Sequence, residues 1–337
     1  MIRILTYNEI DRTKWAELSY KSNTGTWFQT PEAYDFYASM PELFTPFAVG
    51  IEKDGNLRGV CVGYVTVEKS PLKQFLTRRA IIIGGPALAD DCTDEEVRLL
   101  FSTLIIQLST FSDAPIYIET RNFNDYSRWK GAFAAAGFDY IPHLNFHVDT
   151  SSVEVVEANL GKSRKRDIRT SLRDGACLVE NPTIEQVRAY YDILLNLYKT
   201  RVKTPLFPFS FFETLWRHKD SRFLLIELQG EIIGGTVCVE QEGKCLYEWF
   251  ACGVDGQWKS VFPSTLATYL GIRYAAEHGC PRFDMMGAGK PDEAYGVRDF
   301  KAKFGGKLVE YGRFLCVCKP LLYKIGILGV RILKKIK

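Results

Sequence analysis

Two stretches of alternating apolar residues, each folded back on itself by tight turns, frame what this chain can become. The first, "FAVGIEKDGNLRGVCVGYVTVE" (47–68), breaks at Asp54-Gly55-Asn56, a strong hairpin signal. The second, "FLLIELQGEIIGGTVCVEQEGKCLYEWFACGVD" (223–255), reads as two hairpin-linked pairs of strands. Both lead into a similar series of elements. In the first half "RAIIIGGPALAD" is a strand that stops at Gly84-Gly85-Pro86, and apolar positions at helical spacing run from Asp94 to about Ser112. "APIYIETR" is then a strand, "NDYSRWKGAFAAAG" a helix closed by Gly137, and "FDYIPHLNFHVDT" a last strand. The second half opens with helices over 159–174 and 184–203. After its meander comes "PSTLATYLGIRYAAEHG", with Pro263 suited to the first helical turn and Gly279 just past the end. "PRFDMMG" is the next strand, and "FGGKLVEYGRFLCVC" closes the sheet. The order repeats although the residues do not. The expectation is an α/β protein of two duplicated domains with mixed sheets flanked by helices, 1–150 and 151–315, followed by a basic tail over 316–337.

A length of 337 residues suits two domains, and an apolar share of 46 % gives each a core. A net charge of +3 excludes a polyanion binder as a whole, so DNA is not an expected partner and any basic function is local. The first residues lack the apolar core of a signal peptide, and no run of about 18 apolar residues occurs, which points to a cytoplasmic chain. The nine cysteines avoid Cys-x-x-Cys spacing and mostly sit in strand-like stretches, as free thiols do in a reducing compartment. His143 and His147 fall on one face of an alternating segment, and no His, Cys and carboxylate set has metal-ligand spacing.

Gly287-Ala288-Gly289-Lys290 looks like the end of a phosphate-binding loop, but Asp284 stands where the first glycine belongs and Pro291 replaces the Mg²⁺-binding hydroxyl. Nucleotide hydrolysis is therefore excluded on this motif. The stretch offers other chemistry. Asp284 ends a strand, Gly287 and Gly289 admit close approach, and Tyr295 lies in the next loop. Lys301 and Lys303 share a face if the segment is extended and diverge if it is helical. A lysine beside a reacting carbonyl stabilises the oxyanion formed when an amine attacks. Upstream, Lys162, Arg166, Arg169 and Arg173 make one stripe of a helix, either a solvated face or a surface that tracks phosphates.

The order of "RKRDIRTSLRDG", "PSTLATYLGIRYAAEHGCPRFDMMG" and "VRDFKAKFGG", with "RRAIIIGGP" in the first half, resembles the FemABX-type peptidoglycan aminoacyltransferases and related acyltransferases over about 20–315. That family has two tandem domains of the GNAT (N-acetyltransferase) fold. The resemblance implies transfer of an acyl or aminoacyl group to an amine of a cell-envelope precursor, nucleotide- or lipid-linked, with aminoacyl-tRNA or acyl-CoA as donor. The family's Phe-Lys-x-x-Phe-Gly pattern falls on Phe300, Lys301, Phe304 and Gly305, so Lys301 inherits the place at the reacting carbonyl. No strong general base is expected. Asp284 and Tyr295 would line the site beside Lys301, with Lys303 as a further substrate contact, and Arg79, Lys162, Arg166 and Arg169 would meet phosphates. At the turn where acetyl-CoA-binding GNAT domains hold pyrophosphate, Gln257 is present, but Ser260 and Phe262 replace glycines and Pro263 has no N–H. This favours a donor other than CoA. The long helical hairpin that would contact tRNA is also missing.

The tail "KPLLYKIGILGVRILKKIK" (319–337) has six basic residues and no acidic one. As a helix it gathers Leu321, Ile325, Leu328, Ile332 and Ile336 on one face, which either packs on the protein or lies in an anionic membrane interface, at the inner face of the plasma membrane. Two other functions fit the chain: acyl-CoA-dependent N-acylation of an amino sugar, and a non-catalytic module that binds a glycan precursor.

Overall fold

The computed structural model describes residues 1–336, with side chains through residue 329. The chain divides into two compact units, Met1–His143 with Tyr311–Lys337 and Leu144–Glu310.

The first unit is built on an eight-stranded sheet, ordered Ile2–Thr6, Phe44–Lys53, Asn56–Thr66, Ala80–Gly84, Tyr117–Asn122, Arg313–Val317, Asp139–Ile141, with Ala87–Leu88 added beside Asn56–Thr66. Its long helix, Asp94–Ser109, begins at a Thr93–Glu96 capping box and buries Val97, Leu100, Phe101 and Leu104. These pack with Val49, Ile82, Ile118 and Phe133, and Phe133 stacks on Phe314 at 3.8 Å.

The second unit has a seven-stranded sheet, ordered Lys307–Glu310, Leu144–Asp149, Arg282–Asp284, Cys245–Gly253, Glu231–Gln241, Ser221–Leu228, Cys177–Val179. The 223–255 stretch thus makes three antiparallel strands in place of the expected two pairs. It reverses at Gln229-Gly230, both at positive φ, and again at 242–244. The helix Pro263–Glu277 buries Leu266, Leu270 and Ile272 among Phe146, Ile226, Leu246 and Phe283.

The expected last strands of the two halves are each split between the sheets. Asp139–Ile141 pairs with Arg313–Val317 in the first sheet, while Leu144–Asp149 pairs with Lys307–Glu310 in the second. The breaks fall at Pro142, which has no N–H to give a ladder, and at Gly312, whose φ is 63° and where a Cβ would lie 2.3 Å from the Tyr140 ring. The units divide at 143/144 and 310/311, where 150/151 and 315/316 were expected, and residues 316–317 belong to a strand of the first sheet. The expected common strand face of His143 and His147 is lost in the same way, since His143 lies between the two strands and only His147 is in one.

The tail is a helix, Pro320–Ile336. It packs through Tyr323, edge-on to Tyr117 at 5.5 Å, and passes Leu76 of the Pro71–Thr77 helix at Gly326, while Leu321, Ile325 and Leu328 stay exposed. The side chains of Ile332 and Ile336, assigned to the same face from sequence, lie outside the described residues. Among the described residues no helix is long and apolar enough to cross a membrane.

Candidate active site

In the second unit two neighbouring parallel strands part company. Cys245–Gly253 and Arg282–Asp284 pair only at Leu246 with Phe283 and Tyr247 with Asp284. The parallel pair of the first sheet, Ala80–Gly84 with Tyr117–Asn122, stays together over five residues. Beyond Tyr247 one strand carries on, bulged against its other neighbour so that Glu248 lies across from Cys238. Beyond Asp284 the other chain turns sharply, with Met286 at φ 54°. Asp284 and Asn145 hold that turn: Met286 N donates to Asp284 Oδ1 and Gly287 N to Asn145 Oδ1, each at 2.7 Å.

Parting leaves backbone carbonyls without sheet partners, and Lys301 takes them. It lies near the end of a short helix, Gly296–Ala302, and its Nζ donates to the carbonyls of Met285 and of Gly287, the latter at 2.9 Å. Because the segment is helical, Lys301 turns inward while Lys303 is exposed, the diverging alternative of the two read from sequence. Burial pulls the Lys301 ammonium below its ordinary value, against the opposing pull of Glu248 and Asp284.

Glu248 is the counterpart. It is buried, and burial raises its carboxyl above the ordinary range despite the nearby Lys301 and the Thr268 hydroxyl. Its Oε1 has no hydrogen-bond partner. Asp284 differs although it too is fully buried. His147 Nε2 at 3.0 Å, Arg282 and the Asn145 amide at 2.7 Å outweigh burial and hold it below the carboxylate range. The two buried carboxylates are thus pushed in opposite directions, Asp284 toward its ionised form by its partners and Glu248 toward its protonated form by burial.

Arg164 seats the lysine's helix. It is the inward residue of the basic helix Lys162–Arg173, with its guanidinium 4.4 Å from the Phe300 ring centre and 5.0 Å from that of Phe304. It donates to Thr265 Oγ1 at 3.0 Å and to the Phe300 carbonyl at 3.4 Å. The stripe read from sequence, Lys162, Arg166, Arg169 and Arg173, faces solvent on the same helix, with Arg166 paired to Asp167 at 2.9 Å and Arg173 to Asp174 at 2.8 Å. Tyr295 is exposed and its ring covers Gly289, where a Cβ would come within 2.8 Å. Gln257 is exposed, Ser260 hydrogen-bonds Asp174, and Arg79 lies in the first unit.

At the start of the Pro263–Glu277 helix, where a pyrophosphate would sit, the chain supplies its own anion. Ser264 N donates to Asp255 Oδ1 at 3.1 Å, and Pro263 has no N–H to offer. Phe262 N is also taken, by Ser171 Oγ at 2.9 Å.

Residues 162–301 match the family model of the acetyltransferase (GNAT) domain. The second unit is a GNAT acetyltransferase domain. The whole chain shares its fold with several solved structures, a tandem GNAT protein among them. A crystal structure of FemX superposes with a TM-score of 0.72 at 13 % identity, covering 96 % of this chain and 99 % of that one. A tandem GNAT protein from the clavulanic acid biosynthesis pathway gives 0.56 at 11 % identity, over 94 % and 98 % of the two chains. L-PGS from Bacillus licheniformis gives 0.55 at 13 % identity, over 96 % and 97 %. No curated protein matches the sequence. The GNAT domain makes the chain an acyltransferase, with Glu248, Lys301 and Asp284 gathered where its strands part.

Proposed function

We propose that this acyltransferase forms an amide on an amine of a cell-envelope precursor, with an aminoacyl group as the moiety transferred. The observation that carries the reading is that buried Glu248 and part-buried Lys301, each within the other's electrostatic reach, lie at the parted strands of the GNAT domain. An ammonium nucleophile must shed a proton before it attacks, and Glu248, a carboxylate whose proton affinity is raised by burial, is the base assigned to that step. Lys301 spends two of its three N–H donors on backbone carbonyls and has the third for the carbonyl oxygen of the donor ester, which becomes an oxyanion on attack. The tetrahedral intermediate then collapses to the amide and expels the donor's alkoxide, which takes up a proton. Asp284 positions the turn that presents this lysine.

Asp255 supports a donor other than acyl-CoA, because a carboxylate already holds the N–H that a pyrophosphate would use and repels a second anion there. An aminoacyl ester, as in charged tRNA, needs no such cradle. Likeness to FemX and to L-PGS supports an acceptor from the cell envelope. The test is amide formation by mass spectrometry with a UDP-linked muramyl peptide as acceptor and either a charged tRNA pool or acetyl-CoA as donor. Product with charged tRNA alone is the expected result. Product with acetyl-CoA and an amino sugar instead would replace this reading with the amino-sugar acyltransferase, and tight binding without turnover with any donor would leave the non-catalytic module.

The same reading places the protein on the cytoplasmic face of a membrane, where such precursors are assembled. Leu321, Ile325 and Leu328 of the tail and Leu72 and Phe75 of the neighbouring helix are exposed apolar residues, and the same two segments expose Lys69, Lys73 and Lys324. Vesicles containing anionic lipid should sediment the wild-type chain at low salt, and neutral vesicles should not. A Leu321→Glu, Ile325→Glu double variant should lose at least tenfold in partitioning. Equal binding by that variant would remove these residues from the account.

A further inference from the structure

Two of the nine cysteines touch each other. Cys316 lies in the strand Arg313–Val317, and Cys318 follows one residue past its end. The alternation that buries Phe314 and Cys316 in the core carries on to Cys318, where the core stops and the residue is exposed. The chain bends at this point. The amides of Cys318 and Lys319 both donate to the Ile116 carbonyl, at 2.9 and 3.0 Å, and Cys318 Sγ lies 3.9 Å from the Cys316 carbonyl oxygen. The Cys318 thiol also donates to the Cys316 sulfur, which draws the Cys316 thiol below its ordinary value and pushes that of Cys318 above. Two sulfurs joined in this way release their first proton more readily than a lone thiol and their second less readily. The other cysteines differ. Six are buried, and burial pushes each thiol up, the state of an inert thiol. Cys177 is exposed and turns its thiol to the Glu227 carbonyl at 3.6 Å.

Joining these sulfurs would move the backbone between them. Residues two apart in a regular strand lie about 6.6 Å apart, near the upper end of the span of about 4.4–6.8 Å that a disulfide allows between its Cα atoms. A bond between Cys316 and Cys318 therefore draws the chain in at Val317. Val317 is paired with Tyr117, and the Tyr117 ring is the one that Tyr323 of the tail helix meets edge-on at 5.5 Å. That helix starts at Pro320, and its Tyr323 amide donates to the Lys319 carbonyl at 3.0 Å. The strand's last pair, the double anchor on Ile116 and the root of the tail are thus held by the same few residues as the two thiols.

We propose that Cys316 and Cys318 are a modification site, a dithiol that a peroxide oxidises to an intramolecular disulfide, and that its closure loosens the Pro320–Ile336 helix from the first unit. The shared proton can sit on either sulfur, so exposed Cys318 attacks the peroxide while Cys316 holds it. The O–O bond breaks, Cys318 becomes a sulfenic acid, and the leaving oxygen departs protonated as water or an alcohol. The Cys316 sulfur then attacks the Cys318 sulfur. The S–S bond forms, and the displaced hydroxide leaves as water with the Cys316 proton. Two thiols are oxidised as one peroxide is reduced, and a dithiol reductant reverses the step by exchange. This goes beyond the transfer reading above and does not rest on it.

The test treats the full chain with hydrogen peroxide, alkylates the remaining thiols after unfolding, and maps the tryptic peptides by mass. The peptide 314–324 carries both cysteines, because trypsin does not cut between Lys319 and Pro320. It should come out lighter by two hydrogen atoms and unalkylated, and dithiothreitol should restore two alkylation sites. Hydrogen exchange of the amides over 320–329 should then run roughly threefold faster or more in the oxidised chain and return on reduction. Cys318→Ser, a change at an exposed position, should abolish both effects and leave the Tm of the reduced chain as it is. Cys316→Ser should abolish them too and let Cys318 oxidise further, to the sulfinic acid. A disulfide between two chains, or alkylation of both thiols after peroxide treatment, overturns the site. A disulfide within 314–324 that leaves exchange over 320–329 unchanged overturns its coupling to the tail.

Discussion

Glu248→Gln is expected to lower kcat by about 10²- to 10⁴-fold, the range for loss of a general base, without lowering Tm at neutral pH. Most changes at buried polar positions destabilise, so this pairing of effects is diagnostic. Burial raises the Glu248 carboxyl in the fold, so the folded state favours its protonated form. A group raised in this way contributes stability below its unfolded pKa and loses that contribution as pH climbs through the folded value. At neutral pH the ionised side chain is a burden on the fold, and glutamine of the same shape removes it. The Tm difference between variant and wild type should shrink as pH falls. The rate should show an acid limb placed above the ordinary carboxylate range in the wild type and absent from the variant. A variant that keeps a third or more of wild-type kcat would exclude Glu248 as the base.

Lys301→Met should cost about 10²- to 10³-fold in kcat, as loss of an oxyanion donor does, and it should also destabilise. Methionine fills the same channel but leaves the Met285 and Gly287 carbonyls without their donor, a penalty of about 1–3 kcal/mol per buried unsatisfied group. Folding loss and catalytic loss are separated in Lys301→Ala by adding a small alkylammonium such as propylammonium, which matches the side-chain atoms that the truncation removes. Recovery of kcat with little change in KM would mark a transition-state role. Recovery of Tm without recovery of rate would reduce Lys301 to a brace for the turn.

The strand and helix order was legible because each sheet alternates apolar residues with period two and each long helix announces its start, as Thr93 and Pro263 do. The exchange of last strands was not. Pro142 and Gly312 each mark a break, but nothing local says that the residues beyond a break join a different sheet. Lys301 and Asp284 stood out by motif and by loop position, and both lie at the parted strands. Glu248 escaped notice because an acid inside "CLYEWFACG" reads as an outward position of an alternating strand. Only the bulge and the missing neighbour show that it faces inward. Arg164 was hidden by its own neighbourhood, being one of several basic residues on a helix whose solvent stripe was easier to see.

The divided first unit has a consequence for biosynthesis. Residues 144–310 are contiguous and leave the ribosome before the first sheet has its Arg313–Val317 strand. Until that strand emerges, Tyr117–Asn122 presents an unpaired edge to solvent, open to pairing with another nascent chain. The closing strand also brings Phe314 onto Phe133 and Arg313 onto Glu119, so core completion and formation of this ion pair happen together and late. Chains cut short before residue 313 should therefore carry a folded GNAT domain and an N-terminal unit with a sticky sheet edge. Quality control that removes sheet edges would see every such chain as unfinished.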